Sequence, residues 1–173
     1  MLRSADCGSL RDENAGDQVT LAGWVGRRRD HGGIIFLDLR DRSGAVQVVF
    51  NPETDADATR VAEEVRGEWV VQIKGTVNRR PEGSENPAMA TGDVEVMVTE
   101  ITVLNRSLTP PFYIEEDAEP DDSLRLRYRY LDLRRPPMLL NLTLRHHVVK
   151  YIRDFLRDRK STRLNSSHAL TSD

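Results

Sequence analysis

The amino-acid sequence predicts a five-stranded β-barrel with one helix, followed by a second, basic segment with helical spacing. In residues 1–105, short runs alternate between apolar and polar residues, and turn residues separate these runs, as is typical of half-buried strands. The charge also changes along the chain. Residues 1–105 carry 12 basic and 18 acidic residues, whereas residues 124–160 carry 11 basic and three acidic residues.

The first three predicted strands follow one another through tight turns. Residues 19–25 alternate in polarity, and the glycine pair at 32–33 marks the turn into the second strand. A Ser-Gly turn at 43–44 leads into a third strand at 46–50. On the second strand, one face carries Ile35, Leu37 and Leu39, and the opposite face carries Phe36, Asp38 and Arg40.

A short helix separates these strands from the last two. Thr54 is its predicted N-cap. A fourth strand is predicted at 69–77 and a fifth at 94–103, with a bulge near Thr99 and a turn-rich loop at 81–92 between the two strands. Three strands, a helix and two strands follow the order of the OB-fold, whose barrels bind oligonucleotides across the face of strands two and three.

That face carries candidate RNA-binding side chains. Phe36 and Gln47 should share it, and there an aromatic ring can stack on a base while an amide can bond to a base edge. The arginine run at 27–29 lies near the end of strand one, and Arg80 lies near the end of strand four. Guanidinium groups can pair with phosphate. Composition alone leaves two alternatives open, that the arginines form a solvated face and that Phe36 belongs to the core.

Residues 106–123 are predicted to be a linker. They contain three prolines, and six acidic residues against one arginine. The alternative is a surface loop inside one larger domain. Farther along, residues 139–156 place apolar side chains at helical spacing, so this helix has a face that must pack against another surface.

Several function classes are disfavoured. The N-terminus lacks the apolar region of a secretory signal and no apolar run is long enough to span a bilayer, which favours a cytoplasmic protein. Cys7 is the only cysteine, which excludes a disulfide within the chain. There is no P-loop, and the adjacent His146 and His147 lack metal-ligand spacing. The sequence therefore predicts neither catalytic nor metal-binding residues.

Three motifs resemble the bacterial-type aspartyl-tRNA synthetase family. Residues 23–41, GWVGRRRDHGGIIFLDLRD, are similar to its anticodon-binding barrel, and MATGDVEV at 89–96 also matches. Residues 127–135, RYRYLDLRR, look like the segment that leads into its catalytic domain. The resemblance covers about residues 1–157. It implies an OB-fold anticodon-binding domain at 1–105, the linker at 106–123, and the truncated start of an α+β class II catalytic domain at 124–157.

The resemblance also implies roles for single residues. Phe36 would stack on an anticodon base, and Gln47 would help to read the central one. The basic residues that match those at the family's anticodon loop are Arg27, Arg29 and Arg80. The helix at 139–156 resembles the first half of class II motif 1, which packs at the homodimer interface.

Two positions bear on tRNA specificity. In this family, the residue at the hairpin position before the glycine pair differs between enzymes restricted to tRNA-Asp and enzymes that also charge tRNA-Asn. His31, together with Gly83 in the loop at 81–92, resembles the enzymes that also charge tRNA-Asn. The sequence therefore predicts a parent enzyme that accepts tRNA-Asn as well as tRNA-Asp.

The resemblance sets the expected chemistry. The family joins aspartate to ATP to form aspartyl-adenylate and then transfers the aspartyl group to tRNA. The groups that hold ATP and Mg²⁺ lie in motifs 2 and 3, which this sequence lacks, so we expect this chain to bind neither and to be inactive by itself. Residues 158–173 depart from the family and resemble a translated sequencing-library adapter, which suggests a non-native tail. The alternative is a genuine Ser/Thr-rich disordered tail.

Two other interpretations remain. Lysyl- and asparaginyl-tRNA synthetases share the architecture, although their versions of these motifs differ more. A free-standing OB-fold module could also bind RNA without catalysis. Residues 124–156 separate this last interpretation from a synthetase, because a free barrel would not need them.

Overall fold

A computed structural model describes residues 2–114 and 118–158. The chain divides into two units, residues 1–110 and 111–173. Their boundary lies inside the segment interpreted as a linker, and the limits of that linker stay a prediction. Part of the acidic run, at 115–117, lies outside the described residues. So does the tail interpretation, apart from Asp158.

The first unit is a closed barrel. Its elements are β1 (Gln18–His31), β2 (Ile34–Arg40), β3 (Ala45–Phe50), α1 (Ala56–Glu64), β4 (Val70–Arg79) and β5 (Val94–Asn105). The strands follow the order β1-β2-β3-β5-β4 around the barrel. β3 and β5 pair in parallel, and the other neighbours are antiparallel. The prediction of an OB-fold with five strands and a helix between the third and fourth is therefore confirmed.

The core is the inner face of these strands. β2 buries every second residue and β1 does so as far as Val25, which is the alternation that the sequence shows. The largest fully buried side chains include Leu21, Leu37, Val48 and Ile73. α1 packs against β2, β3 and β5 and buries Ala58 and Ala62.

The helix boundary differs by one residue from the prediction. Asp55, not Thr54, is the N-cap, and its carboxylate accepts the amide proton of Ala58 at 2.7 Å. Thr54 instead belongs to the preceding turn, where its amide donates to the carbonyl of Asn51 at 2.9 Å. The helix follows only after that turn, so the capping side chain is the next one along.

Turns and bulges set the register. Gly32 and Gly33 have φ angles of 63° and 87°, which a two-residue type I′ hairpin turn requires. In β5, Thr99 is skipped in the pairing with β4, because Lys74 pairs with Glu100 while Gly75 pairs with Val98. The predicted bulge near Thr99 is confirmed.

A second bulge, in β1, was not predicted. Val25 pairs with Leu39, and Arg28 pairs with Leu37. Between these pairs, two residues of β1, Gly26 and Arg27, lie opposite one residue of β2, Asp38.

The N-terminal segment is attached to the turn between β2 and β3 by the buried carboxylate of Asp41. This carboxylate accepts the amide protons of Cys7 at 2.9 Å and Ser43 at 2.7 Å, and it lies 3.3 Å from Arg3 Nη1. Cys7 is fully buried, and this burial, with the nearby charge of Asp41, raises the pKa of its thiol to about 12. The thiol is therefore a core group rather than a nucleophile.

The second unit contains α2 (Asp122–Arg127), α3 (Arg129–Asp132) and α4 (Pro136–Asp158). α4 includes the predicted helix at 139–156. The side chains of Val148, Ile152 and Phe155 on this helix are 49%, 49% and 44% exposed. None of the helices in residues 2–114 and 118–158 is both long and apolar enough to cross a membrane.

Replacing Asp41 with alanine should lower the free energy of unfolding by about 1–3 kcal/mol at pH 7, because the amide of the buried Cys7 and the amide of Ser43 lose their acceptor. Burial acts to raise the pKa of Asp41, but hydrogen bonds from Ser43 and Cys7 outweigh it and hold the pKa below the ordinary value of an aspartate. The stabilisation is therefore present at neutral pH and is lost as the pH falls through the folded-state pKa. Urea unfolding at pH 7 and pH 3 measures both effects.

The matched control is Asp57→Asn, because Asp57 forms an exposed ion pair with Arg60. We expect it to change the free energy of unfolding by less than about 1 kcal/mol. An Asp41→Ala effect that is equally large at both pH values would contradict the assigned role of the carboxylate.

Candidate nucleic-acid interface

The bulge in β1 decides which of its side chains face outward. After the bulge, Arg28 pairs with the inward-facing Leu37, and Arg29 pairs with the outward-facing Phe36. A shift of one residue exchanges the two faces of a strand. Arg29 therefore lies on the outer face beside Phe36, whereas unbroken alternation from Val25 would turn it toward the barrel interior.

The three consecutive arginines consequently have different surroundings. Arg28 turns to α1, where its Nε donates to the carbonyl of Ala62 at 3.4 Å, and its Nη2 lies 3.7 Å from the carboxylate of Asp30. Arg27 is exposed in the bulge and forms no side-chain hydrogen bond or ion pair with the described residues. Arg27 and Arg29 are thus available to a ligand at this face, while Arg28 supports the end of the helix.

Gln47 lies at the centre of a line of polar side chains on this face. Its Oε1 accepts from Arg29 Nη2 at 3.0 Å, and its Nε2 donates to Glu95 Oε2 at 2.9 Å. The same Nη2 of Arg29 donates to Asp38 Oδ1 at 3.2 Å. Gln47 is only 6% exposed and Glu95 only 9%. We call Asp38, Arg29, Gln47 and Glu95 the polar line.

Two buried charged side chains, Glu95 and Arg80, influence each other at one end of the polar line. Burial raises the pKa of the Glu95 carboxyl, while the hydrogen bond from Gln47 and the charge of Arg80 act in the opposite direction. Burial lowers the pKa of the Arg80 guanidinium, and the attraction of Glu95 opposes that shift. Arg80 also donates from Nε to the carbonyl of Val94 at 3.0 Å. Its position is therefore fixed by backbone and charge together.

The structure places Phe36 and Gln47 on the same outer face, as the sequence predicts. Phe36 pairs with Val49, and Asp38, on the same face of β2 as Phe36, pairs with Gln47. The ring of Phe36 is partly exposed. A partly exposed ring beside an amide and two guanidinium groups is the set of groups that stacks on a base and bonds to its edge. Their contacts with RNA stay predictions.

The two positions predicted to affect tRNA specificity are both exposed, one at the end of a strand and the other in a turn. His31 is the last residue of β1, next to the glycine pair. Gly83 has a φ angle of 84°, a left-handed conformation that favours glycine, and its amide donates to Glu85 Oε2 at 2.8 Å. Their role in specificity stays a prediction.

Sequence reasoning did not single out two members of the polar line, Asp38 and Glu95. Glu95 lies between Val94 and Val96 and has the pattern of an ordinary solvent-facing strand residue. Only the parallel pairing of β3 with β5 brings it beside Gln47. Within residues 2–114 and 118–158, no group of three or more His, Cys, Asp or Glu side chains could hold a metal ion.

Two family models match separate parts of the chain. Residues 19–104 match an OB-fold nucleic acid binding domain. Residues 121–166 match the tRNA synthetases class II (D, K and N). The second match extends past Asp158 into the segment interpreted as a non-native tail, so that interpretation stays open.

Curated and structural relatives agree with these models. The chain is 58% identical over 154 residues to the aspartate–tRNA(Asp/Asn) ligase of Moorella thermoacetica, covering 89% of this chain and 26% of the relative. It is 57% identical over 159 residues to the ligase of the same name from Dehalococcoides mccartyi, covering 92% and 26%.

Among solved structures, asparaginyl-tRNA synthetase from Pyrococcus horikoshii complexed with asparaginyl-adenylate has a TM-score of 0.77 and 27% identity over 92% of this chain and 35% of that one. The chain is more similar in sequence to the two curated ligases than to this asparaginyl enzyme. The chain spans about a quarter of the length of those curated relatives, and it belongs to the aspartyl-tRNA synthetase family of class II aminoacyl-tRNA synthetases.

Proposed function

We propose that this chain supplies the anticodon-recognition module of an aspartate–tRNA ligase. The parent enzyme activates aspartate with ATP and transfers it to tRNA. The observation that carries the proposal is the outer face of β2 and β3, where the partly exposed ring of Phe36 lies beside the polar line. A base can stack on the ring while its edge bonds to the amide of Gln47, and Arg27 can pair with the neighbouring phosphate.

The charge of the barrel shapes how it would bind. Residues 1–105 carry more acidic than basic residues, so the barrel offers little long-range attraction to RNA. Recognition therefore depends on short-range contacts at this one face. Such contacts suit a module that must identify an anticodon rather than hold any RNA.

The second unit favours a ligase over a free-standing RNA-binding barrel. Residues 121–166 match class II synthetases, and a barrel that only bound RNA would not need them. The exposed apolar side chains of α4, including Val148 and Ile152, are the surface that a homodimer of the parent enzyme would cover. Because charged tRNA serves translation, the proposal places the parent enzyme in the cytoplasm.

The proposal extends to tRNA-Asn. The names of the curated relatives include both tRNA-Asp and tRNA-Asn. His31 and Gly83 lie close along the chain to residues of the face, two residues after Arg29 and three after Arg80. From the genetic code, the two anticodons share their first two bases and differ at the third. A module that reads the shared bases and tolerates the third would serve both tRNAs.

ATP and Mg²⁺ belong to the parent enzyme in this proposal. ATP would supply the adenylyl group, with pyrophosphate as the leaving group, and Mg²⁺ would supply positive charge that stabilises the phosphates during adenylation. The described residues offer no cluster that fits a metal ion, so no step of adenylation is assigned to them.

Phe36→Ala should weaken binding to an anticodon stem-loop of tRNA-Asp by about 1–3 kcal/mol, because one base loses its stacking partner. Fluorescence anisotropy with a labelled stem-loop measures this loss. The control is Tyr151→Ala, since Tyr151 is a 71% exposed aromatic residue on α4. Equal affinities for Phe36→Ala and the wild type would remove Phe36 from the site.

Stem-loops carrying the tRNA-Asp and tRNA-Asn anticodons should bind the chain with affinities within roughly tenfold, or about 1.4 kcal/mol, of each other. Competition between the two in one anisotropy titration gives the ratio directly. A preference of several hundredfold for either one would contradict dual specificity while leaving anticodon binding in place.

ATP–pyrophosphate exchange driven by aspartate should stay at background for this polypeptide, because motifs 2 and 3, which hold ATP and Mg²⁺ in the family, are not among its residues. A full-length aspartate–tRNA ligase assayed in parallel provides the positive control. Exchange above background that depends on aspartate would show that the chain holds catalytic groups not assigned here.

A further inference from the structure

The hydrogen bonds of Gln47 fix the orientation of its amide. An arginine can only donate and an ionised glutamate can only accept. Arg29 therefore requires Oε1 on its side, and Glu95 requires Nε2 on the other, which agrees with the distances of 3.0 and 2.9 Å. Turning the amide by 180° would place donor against donor and acceptor against acceptor.

The amide keeps part of its bonding capacity. An amide offers two acceptor lone pairs and two N–H donors. Arg29 occupies one lone pair, and Glu95 occupies one N–H. One acceptor and one donor remain without a partner among the described residues, and the two neighbours set which end of the amide carries each. A donor and an acceptor on one amide are the groups that a bidentate contact with a base edge needs.

The order matters for the central anticodon base. The genetic code makes that base uracil for both aspartate and asparagine. Uracil presents the acceptor O4 next to the donor N3–H, whereas cytosine presents the donor N4–H next to the acceptor N3. An amide held in one orientation matches one of these edges, and the turned amide matches the other.

Arg29 can hold the amide only if its own position is held. Its side chain is 44% exposed, and a long exposed side chain samples many rotamers. Asp38 restricts it, because Asp38 Oδ1 and Gln47 Oε1 both accept from Arg29 Nη2, at 3.2 and 3.0 Å. Asp38 lies directly opposite Gln47 in the pairing of β2 with β3, and its side chain is only 24% exposed.

We propose that Asp38 is a positioning residue for the reading of the central anticodon base. It holds Arg29 over Gln47 Oε1, and Arg29 and Glu95 together fix the order of the donor and acceptor that Gln47 offers. This inference rests on the proposed anticodon-binding function. It assigns Asp38 an effect on the choice of base rather than on overall affinity, because the carboxylate itself repels RNA.

The test compares two tRNA-Asp anticodon stem-loops that carry uracil or cytosine at the central position. The wild-type chain should prefer uracil by roughly fivefold to 150-fold, the usual range for a bidentate base contact. Asp38→Ala should reduce this ratio by about fivefold or more, with affinity for the uracil loop unchanged or higher. Asp38→Asn keeps an acceptor for Arg29 and should restore most of the ratio.

Asp30→Ala is the matched control. Asp30 lies on the same hairpin and pairs with Arg28 at 3.7 Å, on the side away from Gln47. Its removal also deletes one negative charge near the site, so it should alter affinity for both loops alike and leave the ratio unchanged. Circular dichroism and thermal unfolding of each variant show whether it is folded.

Arg29→Lys provides a second route if Asp38→Ala does not fold. Lysine keeps the charge but loses the planar fork that reaches Asp38 and Gln47 together, so the ratio should fall as it does for Asp38→Ala. An unchanged ratio in both folded variants overturns the proposal, as does a wild-type chain that binds the two loops equally. Failure of the wild type to bind either loop overturns the proposed function and this inference with it.

Discussion

The candidate site depends on the β-bulge at Gly26 and Arg27. Two residues of β1 lie opposite Asp38 there, and every later side chain of β1 is exchanged between the inner and outer faces. Glycine suits the bulge, because a Cβ on Gly26 would lie 3.1 Å from the carbonyl oxygen of Asp38, which is tighter than most such contacts. Arg29 reaches Gln47 for this reason, and Arg28 turns to the carbonyl of Ala62 in α1.

Three of the buried polar side chains of the barrel lie together at the site. Gln47, Glu95 and Arg80 are each less than a tenth exposed, and burial of such groups is costly unless each finds a partner. All three are paired, and the pairing leaves Gln47 with bonding capacity toward a ligand. A polar network that is satisfied in this way rigidifies the side chains that a base would meet.

The second unit shows why the RYRYLDLRR motif has its spacing. Asp132 is fully buried and accepts hydrogen bonds from Arg125, Arg129 and Arg135. Arg129 lies three residues before Asp132 and Arg135 lies three residues after it. Burial acts to raise the pKa of Asp132, but the hydrogen bonds and charges of the arginines outweigh it, so the carboxylate stays ionised. Loss of Asp132 would leave three guanidinium groups without their shared partner.

The sequence by itself determined the strand and helix order, the turns, the bulge at Thr99 and the outer-face position of Phe36 and Gln47. These features follow from local periodicity and turn chemistry, which one segment carries alone. Only the tertiary structure decided the bulge in β1, the turning of Arg28 away from the site, and the pairing of Glu95 with Gln47. Each depends on which strands are neighbours in the barrel. The alternation of polarity along one strand cannot reveal a residue that has no partner on the neighbouring strand.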